Sequence, residues 1–281
     1  MIPDYIIIGA MKCGTSTLAA QLGAQPGIFM TTPKEPNFFS DDAVYARGMG
    51  WYEGLFDSAA PGDFRGEAST HYTKLPDYPE TLPRLRAAGE ATPRLIYLIR
   101  NPLDRLVSHY IHEWTQGVIG SDLARALDTH PALIRYGCYA EQLAPWIAAY
   151  GSENLLVLSL EQMKRTPQEV LDRVAVFLGQ EGLVWQEDLE RVNVSSERIR
   201  KLPMQALLVD NPVATALRQK LVPQSVRDWV KARRRMQERP VLSETDRARL
   251  EKIFAEDFAA LNRQFPDRPD LALSYPFLER G

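Results

Sequence analysis

Two stretches of this sequence carry residue types that could hold an anion. The first is Gly9-Ala10-Met11-Lys12-Cys13-Gly14-Thr15-Ser16-Thr17. Backbone N–H groups of a glycine turn that opens a helix suit a phosphate. The stretch nearly follows G-x-x-x-x-G-K-[ST], the loop that cradles nucleoside triphosphates. Thr15 stands where that loop has Lys, and the nearest Lys is Lys12, three residues earlier. The cation moves from the tip of the cradle to its approach side. The second stretch is Ile99-Arg100-Asn101-Pro102. A triphosphate loop works with an Asp near a strand end that helps to hold magnesium. Here the strand ends in Arg100, which repels a metal and attracts an anion. An ordinary strand–helix connection is the alternative reading of the glycine turn by itself.

Other chemistries fail on spacing. The glycines are not arranged G-x-G-x-x-G, so a dinucleotide fingerprint is missing. A phosphatase-type loop would put Arg six residues after Cys13, where Ala19 stands. His112-Glu113 opens like a zinc-binding helix, but Gln116 takes the second His position. No His/Cys cluster has metal-ligand spacing.

These loops need elements to position them. Tyr5-Ile6-Ile7-Ile8 is a short apolar run ending at Gly9, the pattern of a buried parallel strand. Leu18 to Leu22 has helical composition and stops near Gly23 to Pro26. Arg94 to Ile99 is a second strong strand, and Asn101-Pro102 starts a helix that runs to Gln116. Gly27–Met30 and Phe64–Ala68 are weaker strands, and Asn154–Ser159 is another buried one. Tyr139–Tyr150 and Pro167–Leu178 read as amphipathic helices. The alternation predicts an α/β fold: a single domain over 1–281 with a central parallel sheet flanked by helices, its core spanning about 4–180. Residues 182–240 show no clear strand and read as a lid or basic segment. Residues 243–265 form a C-terminal helix, with Ser243 as N-cap, Glu244 and Asp246 in its first turn, and a stripe of Leu250, Ile253, Phe254, Phe258 and Leu261.

At 281 residues, 45% hydrophobic and 25% charged, the chain is composed like a soluble globular domain rather than a disordered or fibrous one. A net charge of −3 gives no basic excess that would point to nucleic acid. Two cysteines make no disulfide framework and fit a reducing compartment. No apolar run reaches the roughly 18 residues that a membrane span needs. The balance conceals one basic segment, Arg218 to Arg239, with eight basic and two acidic residues. It reads as a solvated helix face, with a lid for an anionic acceptor or weak docking on an anionic membrane surface as alternatives.

Taken together, these residues resemble a known family. Lys12 to Thr17 resembles the 5′-phosphosulfate loop of sulfotransferases that use 3′-phosphoadenylyl sulfate (PAPS). Arg100 with Ser108, eight residues on, resembles their 3′-phosphate motif. Lys34-Glu35-Pro36-Asn37-Phe38-Phe39 is similar to the segment that carries the catalytic Glu in the heparan-sulfate-type branch. Gly50-Trp51-Tyr52 and Tyr136-Gly137-Cys138-Tyr139 also resemble that branch, and the motifs keep the family's order.

The resemblance implies PAPS as cosubstrate, no required metal ion, and in-line transfer of a sulfonate to a hydroxyl or amine. The acceptor would be a glycan, a lipid or a small metabolite. It implies that Lys12, Cys13, Gly14, Thr15, Ser16 and Thr17 hold the 5′ end, and that Arg100 and Ser108 grip the 3′-phosphate. Lys12 would neutralise charge on the bridging oxygen as it leaves, and Glu35 would be the general base. The alternative for Glu35 is a surface carboxylate paired with Lys34. His112, one helix turn after Ser108, matches a His of the N-sulfotransferase members, with a plain helix-surface His as the alternative. Asn37, Phe38, His71 and Tyr72 stand where the family lines its acceptor cleft. The chain departs from the family in two places there: Glu67 to His71 lacks a Lys that some members have, and Asn37 stands where several glycan enzymes have His. The family's late Lys-Gly-Arg loop is missing, and Arg198, Arg200 and Lys201 are its substitutes. Cys13 lies near a helix start, a place that lowers a thiol pKa; the chemistry needs no thiol, and Cys13 reads as a packing residue.

Two other classes stay in view. One is a P-loop-type kinase for a small molecule, against which Thr15 and Arg100 argue. The other is a non-catalytic nucleotide-binding protein. Family motifs begin at residue 4 and Golgi glycan sulfotransferases carry a membrane anchor, so the expectation is a cytoplasmic enzyme, bacterial, or a catalytic domain cut from a longer chain. Many members form homodimers, and pairing is left open here.

Overall fold

Apolar runs without polar alternation need cover on both faces, which a parallel sheet between helices provides. The computed structural model describes residues 2–189, 236 and 238–280. Its sheet contains β1 (Tyr5–Gly9), β2 (Ile28–Met30), β3 (Phe64–Ala68), β4 (Arg94–Ile99) and β5 (Leu155–Ser159). The order is β2-β3-β1-β4-β5, and every pairing is parallel. Ile7 lies opposite Ala68 on one side and Ile96 on the other, and Ile99 lies opposite Ser159. All of β1 and β5 is buried, as is β4 beyond Arg94. Each buried Ile or Leu contributes about 1.5–3 kcal/mol, so this sheet is the main apolar store of the fold. Gly66 in β3 lies directly under the Tyr5 ring; a Cβ there would overlap the ring, which stacks on Phe64 at 5.7 Å.

After β1 the chain runs out to β2, returns through β3, and then crosses β1 to reach β4 and β5. The connections diverge at β1. Ligands of open parallel sheets sit outside the carboxyl ends of the strands at such a switch point. The loops after β1, β3 and β4 meet there.

The helices begin and end where the local chemistry dictates. Helix α1 (Thr15–Gly23) follows the glycine turn, and a short helix α2 (Met49–Gly54) carries Trp51 and Tyr52. Helix α3 (Pro102–Gln116) is capped by Asn101, whose Oδ1 accepts the Leu103 N–H at 3.1 Å, and it ends on Gly117 in the left-handed region. Helices α4 (Tyr139–Tyr150), α5 (Leu160–Arg165) and α6 (Pro167–Leu178) surround β5 in sequence. Helix α7 (Glu244–Gln264) starts at Ser243, whose Oγ accepts the Asp246 N–H at 3.0 Å. Short helical turns between 42 and 87 and between 123 and 135 have too few residues to show a helical period in sequence.

Helix α7 buries Leu250, Phe254 and Leu261. It also supplies a cap to another helix. The first turn of α4 has no side-chain cap of its own. Asp257 of α7 accepts the N–H groups of Ala140 at 3.0 Å and Glu141 at 3.2 Å. Burial raises the Asp257 carboxyl to about 6.

Arg198, Arg200, Lys201 and the basic segment from Arg218 to Arg235 lie outside the described residues. Arg239 lies within them and pairs with Asp104 of α3 at 2.6 Å. No helix among the described residues is long and apolar enough to cross a membrane.

Candidate active site

The turn between β1 and α1 places Lys12 at φ 68° and Gly14 at φ 90°. Gly14 is the N-cap of α1 and brings no side-chain cap. The Thr17 N–H donates to the Gly14 carbonyl at 3.1 Å, and the amides of Thr15 and Ser16 keep their capacity for an external acceptor. A Cβ on Gly14 would meet the side-chain ends of Leu160 at 2.7 Å and Met163 at 2.9 Å, and at φ 90° any other residue would be strained.

Arg100 leaves the end of β4 beside this turn. Tyr139 holds its backbone: the phenol donates to the Arg100 carbonyl at 2.7 Å and accepts the Arg100 N–H at 3.3 Å. The guanidinium donates to the Lys12 carbonyl at 3.3 Å. The two stretches, 88 residues apart in sequence, meet at this point.

A cavity of about 640 Å³ opens over it. Among the described residues its lining carries five cations, Lys12, Lys74, Arg100, Lys164 and Arg239, and one carboxylate, Glu35. The residues from Gly14 to Thr17 also line it, as do Ser108 and His112 on one face of α3. His71 reaches it from the 3₁₀ turn Thr70–Thr73 that follows β3, with its ring stacked on Tyr78 at 4.5 Å.

Glu35 meets Lys34 at 2.8 Å and accepts the Thr70 hydroxyl at 3.1 Å, and its N–H donates to the Ala68 carbonyl at 2.9 Å. Both readings of Glu35 hold at once: it pairs with Lys34 and it faces the cavity. Burial pushes its carboxyl up, but the Lys34 charge and the hydrogen bonds from Lys34 and Thr70 outweigh this and hold it below its ordinary value. Lys12, Glu35 and Asn37 are the non-glycine residues at positive φ among those described. Side chains rarely adopt that region, and it persists where the surroundings over-determine it, as at binding sites.

Burial lowers four further groups of the lining, His71, His112, Lys12 and Lys74. His71 falls to about 4, and His112 is also lowered, so both rings are neutral at pH 7. Lys12 is lowered by burial first and by Arg100 second. Lys74 falls to about 8, again chiefly through burial. Among the described residues no ion pair holds Lys74; its ammonium lies 5.9 Å from the centre of the Tyr136 ring.

Four expected site residues among those described are outside the cavity lining. Phe38 is fully buried, stacked on Tyr52 at 4.6 Å, and Tyr72 is buried with its hydroxyl on Glu67. Neither has surface to offer an acceptor. Cys13 is outside the lining: its N–H donates to the Ala10 carbonyl at 3.2 Å, its thiol is buried 3.5 Å from the Tyr139 hydroxyl, and burial pushes it up to about 11, against the lowering expected at a helix start. Asn37 is half-buried beside the cavity, outside its lining, with a buried Oδ1 that has no partner. Conversely, Lys74 and Lys164 line the cavity and were not singled out in the sequence. Both follow the carboxyl end of a strand, β3 and β5, which is the signal that would have found them.

Residues 2–262 match the family described as "Sulfotransferase domain". The chain belongs to the sulfotransferase family. Mouse heparan sulfate glucosamine 3-O-sulfotransferase 3B1 is 29% identical over 192 residues, which cover 65% of this chain and 47% of that protein. Human bifunctional heparan sulfate N-deacetylase/N-sulfotransferase 1 is 30% identical over 199 residues, 63% of this chain and 22% of that protein. This sulfotransferase chain thus spans about half the length of the first relative and about a fifth of the second. Among solved structures, a sulfotransferase from Alicyclobacillus acidocaldarius matches with a TM-score of 0.56 and 27% identity, over 68% of this chain and 89% of that one. The parallel five-stranded sheet is the sulfotransferase fold.

Proposed function

We propose that this sulfotransferase moves a sulfonate from PAPS to a hydroxyl or amine of a glycan-type acceptor. The observation that carries the reading is Glu35, the cavity's carboxylate among the described residues. It opens on the same space as Lys12 and the uncapped start of α1. The lining suits a polyanion: guanidinium, ammonium groups, hydroxyls and amide N–H groups, with the anion-repelling charge confined to one carboxylate.

In this reading Arg100 and Ser108 bind the 3′-phosphate, and the amides of Thr15 and Ser16 with the hydroxyls of Thr15, Ser16 and Thr17 hold the 5′-phosphosulfate. Glu35, ionised at neutral pH, takes the proton from the acceptor as its oxygen or nitrogen bonds to sulfur. The bond between sulfur and the bridging oxygen breaks, and its electron pair stays on that oxygen in adenosine 3′,5′-bisphosphate. Lys12 balances the charge that develops there. His112, neutral and one turn past Ser108, orients the acceptor by hydrogen bonding. Lys74 and His71 lie on the Glu35 side, where an ammonium suits a carboxylated or sulfated sugar. Curated relatives named for heparan sulfate support a glycan over a lipid or metabolite. Free, buried Cys13 and Cys138 support a cytoplasmic location.

Thermal stabilisation tests the reading. Adenosine 3′,5′-bisphosphate should raise the melting temperature, and ADP with magnesium should not. Stabilisation by ADP with magnesium alone would replace the reading with a kinase.

A further inference from the structure

Glu67, next to last in β3, is a carboxylate with no exposed surface. A buried carboxylate is costly, and packing alone would be served better by an apolar residue. Three neutral hydroxyls hold it. Tyr52 and Tyr72 both donate to Oε1 at 2.7 Å, and Ser69 donates to Oε2 at 2.7 Å. Each of these hydroxyls has its hydrogen committed to Glu67, so its oxygen is left to accept. Ser69 Oγ accepts the Asn37 N–H at 3.1 Å, and Tyr72 Oη accepts the Phe39 N–H at 3.5 Å. The Glu35 N–H goes to the Ala68 carbonyl. Alternate amides of the segment from Glu35 to Phe39 therefore hang from β3 and the turn behind it. The third hydroxyl fixes the same segment by packing: the Tyr52 ring stacks on Phe38 and meets Phe39 edge-on at 5.0 Å.

We propose that Glu67 is the positioning residue for Glu35: by accepting three hydroxyl hydrogens it aims Ser69 and Tyr72 at the amides of the 35–39 segment and so holds the Glu35 carboxylate in the cavity. The proposal rests on the reading of Glu35 as the base. The positive φ of Glu35 and Asn37 is the independent sign that this segment is held against its own preference. Hydrogen bonds in a chain of this kind reinforce one another, so losing the carboxylate weakens the amide contacts beyond it.

The test is Glu67→Gln. Its amide nitrogen donates where an oxygen accepted, so at least one of the three hydroxyls must turn its hydrogen away. Turnover should fall about 10- to 100-fold through misplacement of the base. KM for PAPS, and the stabilisation by adenosine 3′,5′-bisphosphate, should stay within about two-fold, a split that general damage to the fold would not produce. Ser69→Ala removes one relay and should lower kcat by a smaller factor. The double variant should fall little below Glu67→Gln alone, because both changes cut one chain. If Glu67→Gln does not fold, Ser69→Ala carries the test. Wild-type kcat in a folded variant overturns the proposal, and so does an equal loss of donor binding. Glu35→Gln is run alongside. If it keeps its turnover, the reading of Glu35 fails; if it is inactive while Glu67→Gln is fully active, only the role of Glu67 fails.

Discussion

The two walls of the cavity are built on different principles. The wall assigned to the donor in the proposed function consists of Lys12, the start of α1, and Arg100 with Ser108 on α3. It uses backbone amides at a helix end and side chains from two short stretches, each next to the end of a strand. The wall assigned to the acceptor in the same proposal consists of Glu35, His71 and Lys74 on irregular segments. Its order comes from side-chain hydrogen bonds, above all the hydroxyls around Glu67. A polyanion can be gripped by amides and long cations with some tolerance, whereas a proton acceptor has to be aimed. The donor wall should therefore show its losses in binding and the acceptor wall in turnover.

The largest expected effect breaks this division most directly. Glu35→Gln should lower kcat about 10²–10⁴-fold and leave stabilisation by adenosine 3′,5′-bisphosphate intact; loss of both would merge the walls. Arg100→Ala should do the reverse, weakening the bisphosphate about 10- to 100-fold in calorimetry, with little change for AMP, which lacks the 3′-phosphate. Lys34→Met removes the charge that holds Glu35 low, so the acid limb of the kcat profile should move to higher pH. An unmoved limb would disconnect Lys34 from the base.

The smallest effect concerns stability. Lys74 is nearly buried and is lowered to about 8 from 10.5. At pH 7 it is charged in the folded and the unfolded chain, and the folded state bears the whole cost. Between about 8 and 10.5 the unfolded chain binds the proton more strongly, so wild-type stability rises with pH through that window. Lys74→Met should thus stabilise the ligand-free protein by about 1–3 kcal/mol at pH 7, an advantage that fades toward pH 10.5. Denaturant melts at several pH values read this. A variant less stable than wild type at pH 7 would show that Lys74 already has a partner worth more than its burial costs.

The donor wall could be read in the sequence because its signals are contiguous: a strand, a glycine turn and a helix start, then Arg100 followed by Asn101-Pro102. The strands β1, β4 and β5 were visible for the same reason. The acceptor wall was visible at Glu35 and His71, both through the family resemblance. Phe38 and Tyr72 have the residue types of a cleft lining, but they lie in segments without a period, so nothing local tells whether they face in or out. Both face in, because Glu67 and Tyr52 draw them down. Lys74 escaped because it follows a single 3₁₀ turn, and Lys164 because α5 is only six residues long. Which of the loops after the strands share a cavity is set by the sheet order, and strand order is not a local property of the chain.

The contact from Asp257 to α4 makes two amides into a reporter. Ala140 and Glu141 donate to a carboxylate more than a hundred residues later. Their deuterium uptake should be slow while α7 is docked and should speed up together when α7 lifts off, before β1 or β4 exchanges. The interior of α4 would lag behind them, since its amides close onto its own carbonyls. Two exchange rates near one end of a helix would then time the release of the C-terminal helix from the sheet domain.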